Sequence, residues 1–269
     1  MIPTSPDDKD LPWWLLIVVA TGVYLFWQVF TVEIYSRVLG TLSKGIWITV
    51  YVTIIAYFSA CLIGLGLAVA QLSSFIVLRQ AARLYVEIMR GIPIIVLLLY
   101  VAFVLAPALV TLWNWATEWF GFDPIRNRDF SLLWRAVIAL TLAYSSFLAE
   151  IFRAGLQSVD EGQIEAAEAL GLNKWQRFRH IVFPQAFRTI IPPLGNDFVA
   201  MVKDSSLVSV LGVTDVTQLG KVIAAGNFRY FETYNVVALV YLTMTITLSL
   251  GVRRLEKHMR QRPDLSSEK

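Results

Sequence analysis

The chain has 269 residues, of which 57% are hydrophobic and 16% charged, and its net charge is +3. A soluble domain carries about 25% charged residues, so the shortfall, gathered into long uncharged runs, marks membrane spans. No basic stripe with interleaved aromatics is present, so nothing points to nucleic-acid binding; the single cysteine, Cys61, excludes an intrachain disulfide, and two histidines, His180 and His258, both near basic residues, argue against a His-based metal site.

Residues 1–12 are polar, with two prolines, and read as a short flexible tail. Trp13 to Phe30 is uncharged throughout. A secretory signal is the rival reading, but Asp7, Asp8 and Asp10 outnumber Lys9 and no small-x-small cleavage site follows, so the run is expected to be a transmembrane helix. Residues 45–78 carry no charge; a span of about 20 residues or more fits Ile46 to Leu72, with Ser73-Ser74 starting a turn and Gly64 and Gly66 permitting close helix packing. The next uncharged run, 91–117, is preceded by Tyr85-Val86-Glu87-Ile88-Met89-Arg90 and broken at Gly91-Ile92-Pro93. Residues 113–132, rich in Trp with several charges, read as an external loop at the membrane interface. Leu133 to Leu156 is a further span with Glu150 and Arg153 in its last third. Phe198 to Val213 is the weakest span, since it includes Lys203 and Asp204, and Pro192-Pro193, Gly195 and Asn196 are expected to break the helix before it. Val236 to Val252 closes the set, followed by the basic tail Arg253, Arg254, Lys257, Arg260 and Arg262.

Between the spans lies a polar island, Asp160 to Pro184. Asp160 is a helix N-cap with Gln163 at the capping-box position. Gly171 sits where a helix C-terminus requires positive φ. Asn173 caps a second short helix expected to end near Pro184. The pattern is a helix-turn-helix too polar for lipid, and Glu165, Ala166 and Ala167 give it a surface with few bulky side chains. A solvated connector has the same spacing.

Six spans put both termini on one side, together with residues 73–90, the polar island and the tail. That side holds 15 of the 23 Lys and Arg residues, which makes it cytoplasmic. No G-x-x-x-x-G-K-[ST] phosphate loop, G-x-S-x-G elbow or H-E-x-x-H pair occurs in the chain, so it carries no catalytic, cofactor or metal motif of its own.

Glu165-Ala166-Ala167, followed at fixed spacing by Gly171, Ile181 and Phe183-Pro184, resembles the EAA loop of ABC-importer permease subunits, with Phe183 where the family usually has Leu. Tyr85-Val86-Glu87 with Arg90-Gly91 and Pro93 resembles the same family. Ala143-Tyr144, Ala149-Glu150-Ile151-Phe152-Arg153-Ala154-Gly155, Gly162-Gln163, Pro184-Gln185-Ala186 and Lys203-Asp204-Ser205-Ser206-Leu207 are similar to its polar amino acid uptake branch, the histidine, glutamate and glutamine permeases. The resemblance covers about residues 41 to 253 and implies an all-α polytopic membrane helix bundle with the type I ABC importer transmembrane-domain fold and about six spans. Residues 1–40 then form a tail and an additional helix, 41–255 the transmembrane domain with its coupling loop at 159–184, and 256–269 a cytoplasmic tail. The resemblance also implies a bacterial inner-membrane location, two ATPase subunits that bind ATP and Mg2+, a second permease subunit forming a homo- or heterodimer, an extracytoplasmic solute-binding protein, and a polar amino acid as cargo. Gly162, Glu165, Ala166, Ala167, Gly171 and Pro184 become the ATPase-coupling residues, and alternating access would follow from docking.

The charged residues inside the spans are open to two readings. Glu150 and Arg153, three apart, can pair on one helix face as a gate or as a structural pair at the interface. Lys203, Asp204 and Ser205, with Asn196, can meet a zwitterionic substrate, but adjacent side chains diverge by about 100°, which favours packing or an interspan salt bridge equally. A self-sufficient secondary transporter or channel using these four charges is the competing function, against which stand the absence of an inverted repeat and the small number of spans.

Overall fold

The computed structural model describes residues 13–260; the expected tail at 1–12 and the end of the basic tail lie outside them. All regular structure among the described residues is helical. The extra N-terminal segment is one helix, α1 (Trp13–Thr31). After the extended Val32, α2 (Glu33–Gln71) runs unbroken for 39 residues, well beyond the expected span. The boundary at residues 40 and 41 therefore falls within a continuous helix. The Ser73-Ser74 turn forms, with the Ser73 hydroxyl accepting from the Phe75 amide at 3.1 Å, and leads into α3 (Ile76–Gly91). Extended backbone at Ile92 and Pro93 then separates α3 from α4 (Ile94–Tyr100), the break that Gly-Ile-Pro requires.

A π-type turn, Val101–Leu105, joins α4 to α5 (Ala106–Thr117), so the helix persists past Trp113 and Trp115 and the external loop is shorter than expected. That loop is anchored by a buried cation. Arg135, near the start of α6 (Leu132–Gln157), donates to the Ala102 carbonyl in the π-type turn at 2.6 Å, to the Phe130 carbonyl at 3.0 Å and to Asn127. A buried guanidinium is tolerated because backbone carbonyls satisfy it.

The polar island supplies α7 (Glu161–Ala169) and α8 (Lys174–Arg177). A second π-type turn, Phe178–Val182, runs straight into α9 (Phe183–Asp204), so the second helix does not end at Pro184. The wide turn just before Pro184 makes room for a ring that would otherwise strike the carbonyl four residues back. Pro192 and Pro193 likewise lie inside α9 and do not break it. At membrane depth an open break exposes backbone groups that nothing can satisfy, so neighbouring helices hold the helix together; Tyr57 of α2 donates to the Leu194 carbonyl just past the proline pair at 2.7 Å. The true interruption comes later. Ser205–Leu211 tightens into a 3-10 turn, Gly212 takes φ 81°, and α10 (Val216–Asn227) leaves at 50°. Asp215 caps α10 through the Gln218 amide at 2.8 Å, and its other oxygen accepts from Tyr241. Finally α11 (Tyr230–Arg260) completes the bundle.

Among the described residues, four helices are long and apolar enough to cross a membrane, at 33–71, 94–120, 132–157 and 230–257; the bent pair 174–211 with 216–227 makes a fifth, and Leu16–Thr31 is a shorter apolar helix. The main core is the long seam between α2 and α6, built from Val52, Ala56 and Ala60 against Ala136, Leu140 and Ala143. Small residues let the two backbones approach. At Gly64 a Cβ would crowd the Ser145 carbonyl oxygen at 3.0 Å and the Ala149 amide nitrogen at 3.1 Å, so glycine eases the close approach of α2 and α6, whereas Gly66 faces open space. A second core, around Val38, Leu42, Val216 and Val236, joins α2 to α10 and α11 and includes Val29 of α1.

Candidate functional site

The polar island folds as a compact projection whose two turns are both locally encoded. Gly171 adopts φ 80°. The Leu172 amide donates to the Ala167 carbonyl at 3.1 Å and the Gly171 amide to the Glu168 carbonyl at 2.9 Å. Those two bonds make a complete Schellman ending, which satisfies carbonyls that would otherwise be orphaned. Asn173 and Gln176 then form a reciprocal capping box, each side chain accepting the other's backbone amide at 2.9 Å. Arg177 pairs with Glu168 and ties α8 back to α7.

The first cap differs from expectation. The Asp160 side chain makes no capping bond, and Gln163 does not reach back to it. Its amide oxygen instead accepts from Gln185 of α9 at 2.6 Å, a tertiary bond that ties α7 to α9. The alanine pair also divides. Ala166 is exposed and Ala167 is buried, so Ala167 seats α7 on its own chain and Ala166 is the member of the pair that faces outward. Gly162, Glu165, Gly171 and Pro184 are exposed. The outer surface gains two side chains that no sequence pattern singles out, Leu170 at 80% exposure and Trp175 at 64%.

Below the projection, α6 and α9 cross in close contact at Gly155. A Cβ there would lie 2.1 Å from Cγ1 of Ile190. The Ser158 hydroxyl bonds Thr189 one turn away. Glu150 and Arg153 form an ion pair on the same end of α6, and Arg153 also donates to Gln157 at 2.8 Å. Arg90 of α3 stacks over Phe147, and Tyr85 bonds Ser145 at 2.8 Å. Thus α6 is held by α3 near its middle and by α9 at the end that leads into the projection.

The second candidate group does not assemble as one site. Lys203 is exposed while Asp204 is half-buried and accepts a 2.7 Å bond from Tyr144 of α6. Ser205 is buried and spends its hydroxyl on the Val202 carbonyl. Asn196 is exposed and, seven residues before Lys203, shares its stripe of α9. Asp197 lies half-buried on the same helix and carries no sequence signal; no pattern distinguishes it from the other polar residues around the proline pair. Among the described residues no group of His, Cys, Asp and Glu is placed to hold a metal ion.

A polytopic all-α bundle with a polar projection between its spans has the architecture of a multi-pass membrane protein. The chain belongs to the family of binding-protein-dependent transport system inner membrane components, which it matches over residues 60–263. It is 39% identical over 219 residues to a probable amino-acid permease protein, YxeN, of Bacillus subtilis, covering 81% of this chain and 91% of that one. It is 33% identical to the glutamine transport system permease protein GlnP of Escherichia coli, covering 81% and 93%. A solved structure described as an amino acid ABC transporter with histidines superposes with a TM-score of 0.69 at 33% identity, covering 81% of this chain and 94% of that one. The inward-facing MetNI methionine ABC transporter shares the fold, with a TM-score of 0.62 at 21% identity. The fold is that of an ABC importer transmembrane domain.

Proposed function

We propose that this chain is the membrane permease subunit of an ATP-binding-cassette importer for a polar amino acid. The observation that carries this reading is α7 itself, a short helix seated on the chain through Ala167 and Gln163, ended by a Schellman turn and followed by a capping box, with Glu165, Ala166 and Leu170 exposed. Such a rigid, outward-facing helix suits the cleft of a separate ATPase. The relatives named for glutamine and amino-acid transport support the cargo class.

In this reading both termini are cytoplasmic in a bacterial inner membrane, following the Lys and Arg bias. Two ATPase subunits bind ATP and Mg2+ and each grips one α7. A second permease copy or a close relative completes the pathway, and an extracytoplasmic solute-binding protein delivers the amino acid. When the ATPases close, α7 moves, and its bond through Gln163 to Gln185 carries the motion into α9. Glu150 and Arg153 act as a brace at the cytoplasmic end of α6. Tyr144 fixes Asp204 between α6 and α9, which leaves Lys203 and Asn196 as the residues open to a pathway shared with the second subunit.

Reconstitution tests this. Labelled amino acid should enter proteoliposomes only when the chain is assembled with its ATPase and binding protein and ATP is supplied. Uptake by this chain alone, driven by a proton or sodium gradient, would instead establish a secondary transporter.

A further inference from the structure

The extra helix α1 meets the bundle loosely. On one flank of its contact with α11 an apolar groove opens, lined by Val19, Gly22 and Phe26 of α1 and Leu239, Ile246 and Thr247 of α11. Gly22 contributes nothing to packing, since a Cβ there would meet no atom within 4 Å. The groove lies at membrane depth, where the surrounding solvent is lipid, so an acyl chain fills it without desolvation cost.

The helix period identifies the rest of the molecule that fits. Continuing the groove-lining stripe of α11 from Leu239 and Ile246 by seven gives Arg253, and from Thr247 by seven gives Arg254, with Leu250 between the groove and the two arginines. Leu250, Arg253 and Arg254 are all exposed. Neither arginine is ion-paired to a carboxylate among the described residues. At a rise of about 1.5 Å per residue, Arg253 lies about 11 Å beyond Ile246 along the helix, about where a headgroup sits when its acyl chain lies in the groove. A basic cluster at the end of an apolar interhelical groove binds anionic lipid headgroups.

We propose that the cleft between α1 and α11 is a binding site for one anionic phospholipid, its acyl chain beside Gly22 and its phosphate on Arg253 and Arg254. The additional helix then serves to form one wall of a lipid site. The inference needs only the membrane fold and stands whether or not the chain is driven by an ATPase.

The experiment is native mass spectrometry of the full-length chain in detergent, titrated with phosphatidylglycerol or phosphatidylethanolamine of matched acyl chains. Wild-type chain should retain phosphatidylglycerol preferentially, as a single adduct. The double substitution R253Q/R254Q should weaken that binding about thirtyfold and erase the preference. Gly22→Phe, which fills open space and leaves the melting temperature unchanged, should block both lipids. Equal retention of the two lipids by wild type, or phosphatidylglycerol binding unaltered in Gly22→Phe, would overturn the proposal.

Discussion

Replacing Gly171 with valine is expected to cut substrate-stimulated ATP turnover of the assembled transporter about tenfold, while the melting temperature of the chain stays unchanged. The two outcomes separate because Gly171 shapes the projection and touches nothing in the bundle. Its φ of 80° is left-handed, a conformation that costs an L-residue about 1–2 kcal/mol and a β-branched one more. Valine therefore opens the Schellman turn and frees the Ala167 and Glu168 carbonyls. The strain falls on the orientation of α7 relative to α8, and about 1.4 kcal/mol lost from a docked state is tenfold in occupancy. Of the residues in α7, only Ala167 is buried, so the membrane-embedded cores do not register the change. Turnover and uptake at wild-type levels in Gly171→Val would show that this turn does not set the docking geometry.

Gly155→Val should act in the opposite way, lowering stability first and activity as a consequence. The added side chain would occupy the space of Ile190, whose Cγ1 and Cδ1 lie 2.1 and 2.7 Å from the position of a Cβ. Ile190 is itself buried, and the Ala186 carbonyl closes the remaining side at 3.4 Å. Overpacking of this kind costs about 1–3 kcal/mol, here at the crossing that carries the projection. A drop in melting temperature and in yield of assembled complex is the expected result. Trimming the partner in the same chain, Gly155→Val with Ile190→Ala, should recover much of the loss, because the two changes share one contact. A single Gly155→Val substitution that melts with the wild type would mean that α6 and α9 do not meet there.

Much of this architecture is legible in the amino-acid sequence. Runs without charge mark the spans, because burying a charge in hydrocarbon is too costly for the pattern to be accidental. Local chemistry is equally readable. Gly171, Asn173 and the Gly91-Ile92-Pro93 break all behave as their backbone preferences demand, since each depends on neighbours within a few residues. What escapes is set by distant partners or by the solvent. The expectation that Pro192 and Pro193 break the helix follows a rule that holds in water; among the spans, neighbouring helices hold α9 together, and the Leu194 carbonyl accepts from Tyr57. At Pro184, at the end of the polar island, the wide π-type turn at Phe178–Val182 makes room for the ring instead, and the chain turns only at Gly212. Ala166 and Ala167 are identical in sequence terms, and only the docking of α7 onto the rest of the chain decides which of them faces out. The same holds for Gly155, whose role is defined by Ile190, and for Gln163, which leaves its local cap for Gln185. That Lys203 and Asp204 diverge on the helix is readable from their adjacency, but where each side chain goes is not. Asp204 finds its partner in Tyr144, sixty residues away on another helix, a pairing that no local spacing encodes.

Site-directed cross-linking tests most directly whether a separate ATPase grips α7. Cys61 is the only cysteine, so Cys61→Ser gives a clean background in which the exposed Ala166 is replaced by cysteine. Ala166→Cys should form a disulfide with a cysteine placed in the docking cleft of the ATPase subunit, with a yield that changes when ATP is added. The buried Ala167→Cys, as a control one residue away, should give little or none. Absence of any ATPase adduct at Ala166, in a complex that still imports its amino acid, would contradict the account.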